Sequence, residues 1–341
     1  MQIDHIHFCV EDATTQGNWF METMGWQRVH SFKSAHTATE ILRLGSIWFV
    51  LSAPRHPLSP VADYLKHHPP GVADIALRVP KLSPFLAQSH QCDAFLPPTR
   101  CMATIQGWGS LRHTLLERRS LKSAFPSLAQ WRGGIHGIDH VVLNVPVGDL
   151  EPAVSWYQRC FNLKMRQRFT IKTPHSGLYS QVLSSSNGQV YFNFNEPTSP
   201  KSQIQEFLDM NRGAGIQHVA LRVQNLLPLI ATLRQRQLPF LSVPETYYDA
   251  LQRRLDQIEQ PVLSAQEVAA IAAQQILVDW HPQHPQSLLL QIFSRPIFET
   301  SLFFLEFIER RQQAQGFGEG NFQALFEAIE RDQIQRLIRY S

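Results

Sequence analysis

Hydrophobic and polar positions alternate along two stretches that each occur twice in the chain. Ile3–Val10 (IDHIHFCV) matches Ile138–Val145 (IDHVVLNV) at four of eight positions, and Gly71–Val79 (GVADIALRV) matches Gly215–Val223 (GIQHVALRV) at five of nine. Such alternation with β-branched residues is typical of half-buried strands. Because the two matches follow each other in the same order, they indicate that the chain contains an internal duplication.

Helix and strand patterns follow the first stretch in each half. An amphipathic helix pattern ends in Trp19-Phe20 in one copy and in Trp156-Tyr157 in the other. Further strand patterns run over 39–52 and 178–194, and the second of these contains Ser-Asn-Gly at 186–188, a hairpin turn signal. We therefore predict an α+β fold of two domains, each built of tandem βαβββ modules whose strands form an open, barrel-like sheet.

The length of the chain agrees with two domains, since its 341 residues exceed the size at which single cores usually stop growing, roughly 250–300 residues. We place the first domain at 1–120, a linker rich in Ser, Pro and Gly at 121–136, and the second domain at 137–341. The second half contains an additional helical periodicity over 247–275, which has no counterpart in the first half. A closing helix is predicted over 321–338.

Composition and charge exclude several classes of protein. A hydrophobic content of 43% and a charged content of 17% are ordinary for globular proteins, and the net charge of +3 leaves no basic stripe for nucleic acid. No apolar run reaches the ~18 residues of a membrane span, and the N-terminus lacks a signal-peptide layout. The four cysteines form no C-x-x-C pair. We expect a cytoplasmic protein with a small-molecule partner.

Two histidines and one glutamate of the second half are candidate metal ligands. His140 and His218 lie in the two repeated strands, and Glu306 lies in the apolar run SLFFLEFIER (301–310). Two neutral imidazoles and one carboxylate are the ligands of non-haem Fe(II) oxygenases, and they leave coordination positions open for substrate and O₂. A buried carboxylate also requires a nearby positive charge, which a metal supplies. From spacing alone, hydrogen-bonded core histidines remain the alternative.

The three candidate ligands have counterparts in the first half. His5, Asp74 and Glu117 align with the first, second and third ligand, so the first half lacks the middle imidazole. We therefore predict one active site in the second half and one decayed site in the first. Whether His5, Asp74 and Glu117 bind a harder ion is left open.

Ordered motifs of the second half resemble the 4-hydroxyphenylpyruvate dioxygenase family of the vicinal oxygen chelate superfamily. They are IDHVVLNV (138–145), SGLYS (176–180), FNEP (194–197), KSQIQEFLDMNRGAGIQHVAL (201–221), FLSVPETYY (240–248), LLLQIF (288–293), LFFLEFIERR (302–311) and GFGEGNFQALFEAIE (316–330). The first half resembles the family's N-terminal domain more loosely, through IDHIHF, WFVLSAP, DYLKHHPPGVADIALRV and HTLLE. The resemblance implies the vicinal oxygen chelate fold with a C-terminal lid helix.

The resemblance also implies an activity and a set of site residues. Fe(II) would be held by His140, His218 and Glu306, and 4-hydroxyphenylpyruvate and O₂ would be converted to homogentisate and CO₂ by oxidative decarboxylation, ring hydroxylation and side-chain migration. Amide and hydroxyl groups would orient the substrate while phenyl rings pack on its ring. The implied substrate-binding residues are Ser180, Asn195, Gln203, Gln217, Gln291, Phe293, Phe304, Phe317, Asn321 and Phe322.

Three other activities are compatible with parts of this pattern. A 4-hydroxymandelate synthase resembles the family and uses the same substrate, but the bulky Phe293 argues against it. An extradiol catechol dioxygenase would bring a further acid–base histidine, and a non-catalytic ligand-binding member of the superfamily would lack a complete set of ligands. The sequence leaves open whether the product enters tyrosine catabolism or tocopherol and prenylquinone biosynthesis. It does not fix the oligomeric state, although open sheet edges favour a homo-oligomer.

Overall fold

The computed structural model describes residues 1–85, 94–96, 101–117, 134–172, 177–258, 260–318, 320–321 and 324. The strands of the first half are β1 (Gln2–Cys9), β2 (Gln27–Lys33), β3 (Thr37–Leu44), β4 (Ile47–Pro54), β5 (Gly71–Val79), β6 (Ala94–Leu96), β7 (Met102–Gln106) and β8 (Arg112–Glu117). Those of the second half are β9 (Ile135–Asn144), β10 (Lys164–Lys172), β11 (Gly177–Ser184), β12 (Tyr191–Pro197), β13 (Gly215–Val223), β14 (Leu277–Trp280), β15 (Leu288–Phe293) and β16 (Phe304–Arg310). The helices are α1 (Ala13–Met24), α2 (Pro60–His67), α3 (Leu150–Phe161), α4 (Gln203–Asn211), α5 (Leu226–Gln235), α6 (Glu245–Leu255) and α7 (Ala265–Ala273).

Both halves form an eight-stranded sheet with the same order of strands. The order is β2-β3-β4-β1-β5-β8-β7-β6 in the first sheet and β10-β11-β12-β9-β13-β16-β15-β14 in the second. At the centre of each sheet an antiparallel pair, β1 with β5 or β9 with β13, joins two parallel pairs. The repeated stretches of sequence are these central strands, so the predicted duplication and the α+β fold are confirmed.

The turns and helices follow the local sequence signals. Asp12 caps α1 by accepting hydrogen bonds from the amides of Thr14 and Thr15, and Gly25, at φ +75°, ends the helix. The predicted hairpin turn joins β11 to β12 with Gly188 at φ +63°. The additional periodicity over 247–275 corresponds to α6 and α7. Among the described residues, no helix is both long and apolar enough to cross a lipid bilayer.

The central strand pair of the second sheet contains β-bulges that decide which side chains reach the concave face. The pairing of β9 with β13 skips Asp139, between Ile138 and His140, and skips Gln217, between Ile216 and His218. A bulge adds one unpaired residue and changes the direction of the strand locally. Consequently Gln217 and His218 line the same cavity although they are neighbours in sequence.

The first sheet has bulges at the equivalent positions. The pairing of β1 with β5 skips Asp4, before His5, and Ala73, before Asp74. The duplication therefore includes the irregularities of the strands as well as their order.

Aromatic side chains fill the core, which is continuous between the two sheets. Phe20 of α1 and Tyr157 of α3, which belong to the predicted aromatic pairs, are fully buried. Tyr157 contacts the first sheet, because its hydroxyl lies 2.8 Å from Nε2 of the buried His113. Nδ1 of His113 lies 3.2 Å from the carbonyl oxygen of Ile75, which can only accept, so Nδ1 donates and Nε2 accepts from Tyr157.

Because His113 is buried, we expect the free energy of unfolding to decrease in acid. Burial lowers its pKa from 6.5 to about 4, so between these values the unfolded chain takes up a proton that the folded chain does not. Its contribution to the free energy of unfolding is therefore present above pH 6.5 and decreases by about 2 kcal/mol between pH 7 and pH 5. Urea unfolding at both pH values should show a shallower pH dependence for His113→Gln than for the unchanged chain. Equal pH dependences would contradict this assignment.

Some predictions fall outside the described residues. These are most of the linker (118–133), Phe322 and nearly all of the closing helix predicted over 321–338. The domain boundaries of 1–120 and 137–341 therefore stay predictions. Within the described residues the second sheet begins with β9 at Ile135.

Candidate metal centre and active site

The structure brings the three predicted metal ligands together on the concave face of the second sheet. His140 lies on β9, His218 on the adjacent β13 and Glu306 on β16, which is paired with β13. One possible ligand atom from each residue lies within 4.8 Å of the others, and all three residues are buried. Within the described part of the chain, this is the one group of three or more His, Cys, Asp or Glu residues close enough to hold an ion.

One oxygen of Glu306 faces both imidazoles. Its Oε2 lies 3.2 Å from Nε2 of His140 and 3.4 Å from Nε2 of His218. Its other oxygen, Oε1, accepts a hydrogen bond of 2.8 Å from Nε2 of Gln291. Gln291 therefore fixes the carboxylate and leaves Oε2 directed at the point where the two imidazole nitrogens converge.

The charges of the neighbouring side chains show how the buried carboxylate is compensated. Burial acts to lower the pKa of His140, but the Glu306 and Asp139 carboxylates outweigh it and raise that pKa to about 9. Burial acts to raise the pKa of Glu306, but the neighbouring His140 outweighs it and lowers that pKa to about 2. The pKa of His218 is lowered, mainly by burial. A proton on His140 thus balances Glu306, and a divalent cation can replace it.

A cavity of about 40 Å³ opens from these ligands and contains most of the predicted substrate-binding residues. Its walls carry eight of those ten side chains, namely Ser180, Asn195, Gln203, Gln217, Gln291, Phe293, Phe304 and Phe317. Asn321 lies behind the wall, where its Nδ2 donates to Oε1 of Gln291 at 2.9 Å and its Oδ1 accepts from the hydroxyl of Tyr247.

Comparisons with known proteins give this site its context. A family model described as the Glyoxalase/Bleomycin resistance protein/Dioxygenase superfamily matches residues 137–256. An uncharacterized protein of Synechocystis sp. is 38% identical over 97% of each chain. The 4-hydroxyphenylpyruvate dioxygenase of Caenorhabditis briggsae is 32% identical over 98% of this chain and 92% of its own. The chain belongs to the 4-hydroxyphenylpyruvate dioxygenase family.

The fold of this dioxygenase is shared with a solved structure. A triple mutant of 4-hydroxymandelate synthase from Streptomyces coelicolor superposes with a TM-score of 0.84, covering 97% of this chain and 99% of that one, at 24% identity. Together with the family model, this similarity confirms the vicinal oxygen chelate fold predicted from the sequence.

The first sheet of the dioxygenase corrects one alignment made from the sequence. Asp74 pairs with Arg112 in the way that His218 pairs with Phe304, so the residue equivalent to Glu306 is Thr114. Glu117, which we aligned with Glu306, is instead equivalent to Glu309.

Glu117 and Glu309 each begin a Glu-Arg-Arg motif, at 117–119 and 309–311, which agrees with this alignment of the two sheets. Glu117 accepts a hydrogen bond from the amide of Leu82, and Glu309 accepts one from the amide of Leu226, the first residue of α5. Each glutamate therefore accepts a hydrogen bond from a backbone amide in the segment that follows β5 or β13.

In the first sheet, the side chains at the positions equivalent to the cavity wall form hydrogen bonds with one another. Asp74 accepts from the amide and hydroxyl of Thr114 at 3.0 and 2.6 Å. Nε2 of His7 lies 2.9 Å from the Ser52 hydroxyl, which in turn contacts Thr39. His5, Asp74 and Glu117 do not form a group of ligands among the described residues.

Asn193 is a cavity residue that the sequence reasoning missed. It lies two positions before Asn195 on β12, so both side chains point to the same face, and it lines the cavity. Its neighbours across the strands are Val142 and Val182. The alternation of Asn with Phe in YFNFNEP was the available signal.

Proposed function

We propose that this dioxygenase converts 4-hydroxyphenylpyruvate and O₂ to homogentisate and CO₂, with Fe(II) held by His140, His218 and Glu306. The observation that carries the proposal is the buried set of two imidazoles and one carboxylate at the end of a cavity walled by amides and phenyl rings. The family relatives that bear the name of this activity support the choice of substrate.

The donor set fits Fe(II). Neutral imidazole and carboxylate ligands suit this ion, and three protein ligands leave coordination positions for small molecules. Bound Fe(II) would supply the redox chemistry with O₂ and an electron-poor position for an α-keto acid. No described lysine or arginine forms an ion pair with Glu306. The carboxylate is therefore available to bind a metal cation.

Polar atoms of the cavity wall would bind the polar parts of the substrate. Within the described residues, Oγ of Ser180 and Oδ1 of Asn193 are buried without a hydrogen-bond partner. Buried polar atoms normally have partners. A substrate hydroxyl could donate to Oδ1 of Asn193, and a substrate carboxylate could accept from Oγ of Ser180. The amides are neutral, so they can orient the keto acid without competing with the iron for it.

Aromatic side chains would position the substrate ring and exclude water. The rings of Phe293 and Phe304 are perpendicular to each other, with centroids 6.1 Å apart, and both contact the ring of His218. A cavity of about 40 Å³ holds only a few waters, since a single water occupies at least ~10–15 Å³ by this measure. An aromatic acid therefore enters only if part of the wall moves, such as the turn that carries Phe317.

The proposal is tested by anaerobic reconstitution with Fe(II), addition of 4-hydroxyphenylpyruvate and O₂, and identification of the product by mass and retention time. Homogentisate is expected. A product hydroxylated at the benzylic carbon, 4-hydroxymandelate, would instead assign the protein to the synthase reaction. Absence of any product from a chain that binds one iron would reject the proposed substrate.

Phe293 is expected to decide which carbon is attacked. Because its ring presses on the space beside His218, Phe293→Leu should let the substrate ring turn away and raise the ratio of 4-hydroxymandelate to homogentisate. A rise of about tenfold is expected, since a change of this size in a pocket shifts relative barriers by ~1–3 kcal/mol. Phe298→Leu is the control, because Phe298 is similarly buried but packs against Phe8 and Phe303 in the core. An unchanged product ratio in Phe293→Leu would contradict this role.

A further inference from the structure

A second carboxylate, that of Asp139, orients the first metal ligand. Nδ1 of His140 lies 3.1 Å from Oδ1 of Asp139. Because a carboxylate can only accept, Nδ1 keeps its proton and Nε2 is the nitrogen left to bind an ion. Asp139 is the unpaired residue of the bulge in β9, and the bulge allows it to contact the ring of its own neighbour.

Two arginines hold Asp139 in this orientation. Arg310 binds it in bidentate fashion, with Nη2 2.7 Å from Oδ1 and Nε 2.8 Å from Oδ2. Arg222 donates to Oδ2 from Nε at 2.9 Å, and its Nη2 lies at the same distance. Arg222 and Arg310 lie on β13 and β16, the two strands that provide the other metal ligands. The Asp139 network (Asp139, Arg222 and Arg310) therefore links the three ligand-bearing strands below the site.

Arg310 also holds the turn that covers the site. Its Nη1 donates to the carbonyl oxygens of Ala314 and Gly316 at 3.0 and 2.8 Å. Its guanidinium lies 5.7 Å from the ring centroid of Phe317, and that ring packs edge-on against His140 with centroids 5.3 Å apart. One side chain thus contacts both the carboxylate behind His140 and the backbone that places Phe317 in front of it.

We propose that Asp139 and Arg310 are positioning residues for the metal centre. Asp139 fixes the ring of His140 through the hydrogen bond to Nδ1, and Arg310 holds Asp139 in place while it fixes the turn over the site. Outer-shell carboxylates of this kind typically affect metal affinity or activity by about 10–100-fold. The inference rests on the proposed Fe(II) site and adds residues that do not touch the ion.

The internal duplication provides a matched control for Asp139. Asp4 occupies the equivalent bulge in β1, its side chain is 4% exposed, and its Oδ2 lies 2.9 Å from Nδ1 of His5. The first sheet has Thr114 where the second has Glu306, so this aspartate–histidine pair does not belong to a set of three ligands. A change at Asp4 alters the equivalent aspartate–histidine contact without touching the metal centre.

The test measures the Fe(II) dissociation constant of the full chain without substrate, by anaerobic competition with a chromophoric chelator. The variants are Asp139→Asn, Asp139→Glu, Arg310→Lys and the control Asp4→Asn. We expect the dissociation constant to rise about 10–100-fold in Asp139→Asn and about tenfold in Arg310→Lys, and to stay within about twofold in Asp4→Asn. Asp139→Glu keeps the negative charge that balances both arginines. The Fe(II) dissociation constant can therefore be measured on this variant if Asp139→Asn does not fold.

A spectroscopic measurement separates positioning from general stability. Co(II) bound to the unchanged chain and to the variants should show altered visible absorption bands in the Asp139 and Arg310 variants, because these bands report ligand geometry, and unaltered bands in Asp4→Asn. Fe(II) dissociation constants within about twofold of the unchanged chain in folded Asp139 variants would overturn the inference, as would an equal weakening in Asp4→Asn. If the unchanged chain binds no Fe(II), the proposed function itself fails, and the inference fails with it.

Discussion

Replacing His218 by Ala is expected to abolish iron retention and to lower turnover roughly 10³-fold or more, as when one member of a catalytic group that acts as a unit is removed. The variant keeps only one imidazole beside Glu306, and two protein ligands do not hold Fe(II) against dilution. Iron content after gel filtration and the rate of homogentisate formation measure the two effects. The fold should survive, because His218 lines the cavity and, among the described residues, its Nδ1 has no hydrogen-bond partner in the core.

The equivalent change in the first sheet, Asp74→Asn, serves as the comparison. If the first site has decayed, iron content and turnover in this variant should stay within about twofold of the unchanged chain, although the loss of charge beside Thr114 could lower the melting temperature. Substantial activity in His218→Ala would refute the ligand assignment. Loss of iron in Asp74→Asn would show that the first sheet also binds an ion.

Gly318→Ala is expected to lower kcat/KM by about 10–100-fold, because it disturbs Gln291, the residue that holds the Glu306 carboxylate in place. A Cβ at this position would lie 1.8 Å from Oε1 of Gln291, at a backbone φ of +81°. Gln291 is buried and held by hydrogen bonds to Glu306, Phe317 and Asn321, so it cannot move aside without losing them. Steady-state kinetics and iron content of the variant measure the effect.

Gly134→Ala is the control for Gly318→Ala, because it introduces the same kind of backbone strain without a steric clash against Gln291. Gly134 has a φ of +80°, but a Cβ there meets no atom within 4 Å. This variant should suffer only the backbone cost of ~1–2 kcal/mol in stability, with kcat/KM unchanged. Equal losses of kcat/KM in the two variants would show that the contact with Gln291 is unimportant.

The sequence was sufficient for the fold and for the proximity of the two candidate histidine ligands, because the duplication supplied an alignment of the strands that carry them. Two repeated strands with alternating polarity had to be equivalent, and the sheets place them at equivalent central positions. His140 and His218 lie on those strands, so their proximity followed from the repeat. Most of the cavity wall was reached through the resemblance to the family, since isolated Gln and Phe residues have no distinctive pattern.

The missed features arise from geometry that single strands do not encode. Nothing in the alternation marks Asp139 or Gln217 as bulge residues, because the bulge depends on pairing with a strand about 80 residues away. The contact of Asp139 with Arg310 spans 171 positions and could not be read from local spacing. Glu117 was misaligned because an acid in an apolar run suits a metal ligand and a backbone cap equally well.

The bulges at Asp4 and Ala73 have a consequence for how the enzyme acquires its metal. They shape the first sheet even though Thr114 there cannot act as a third carboxylate, so the strand geometry does not depend on an ion. The polypeptide should therefore fold to its native form while iron-free, and the nascent protein needs no metal to complete folding. Iron would then raise the melting temperature only by mass action, in proportion to its free concentration relative to the dissociation constant.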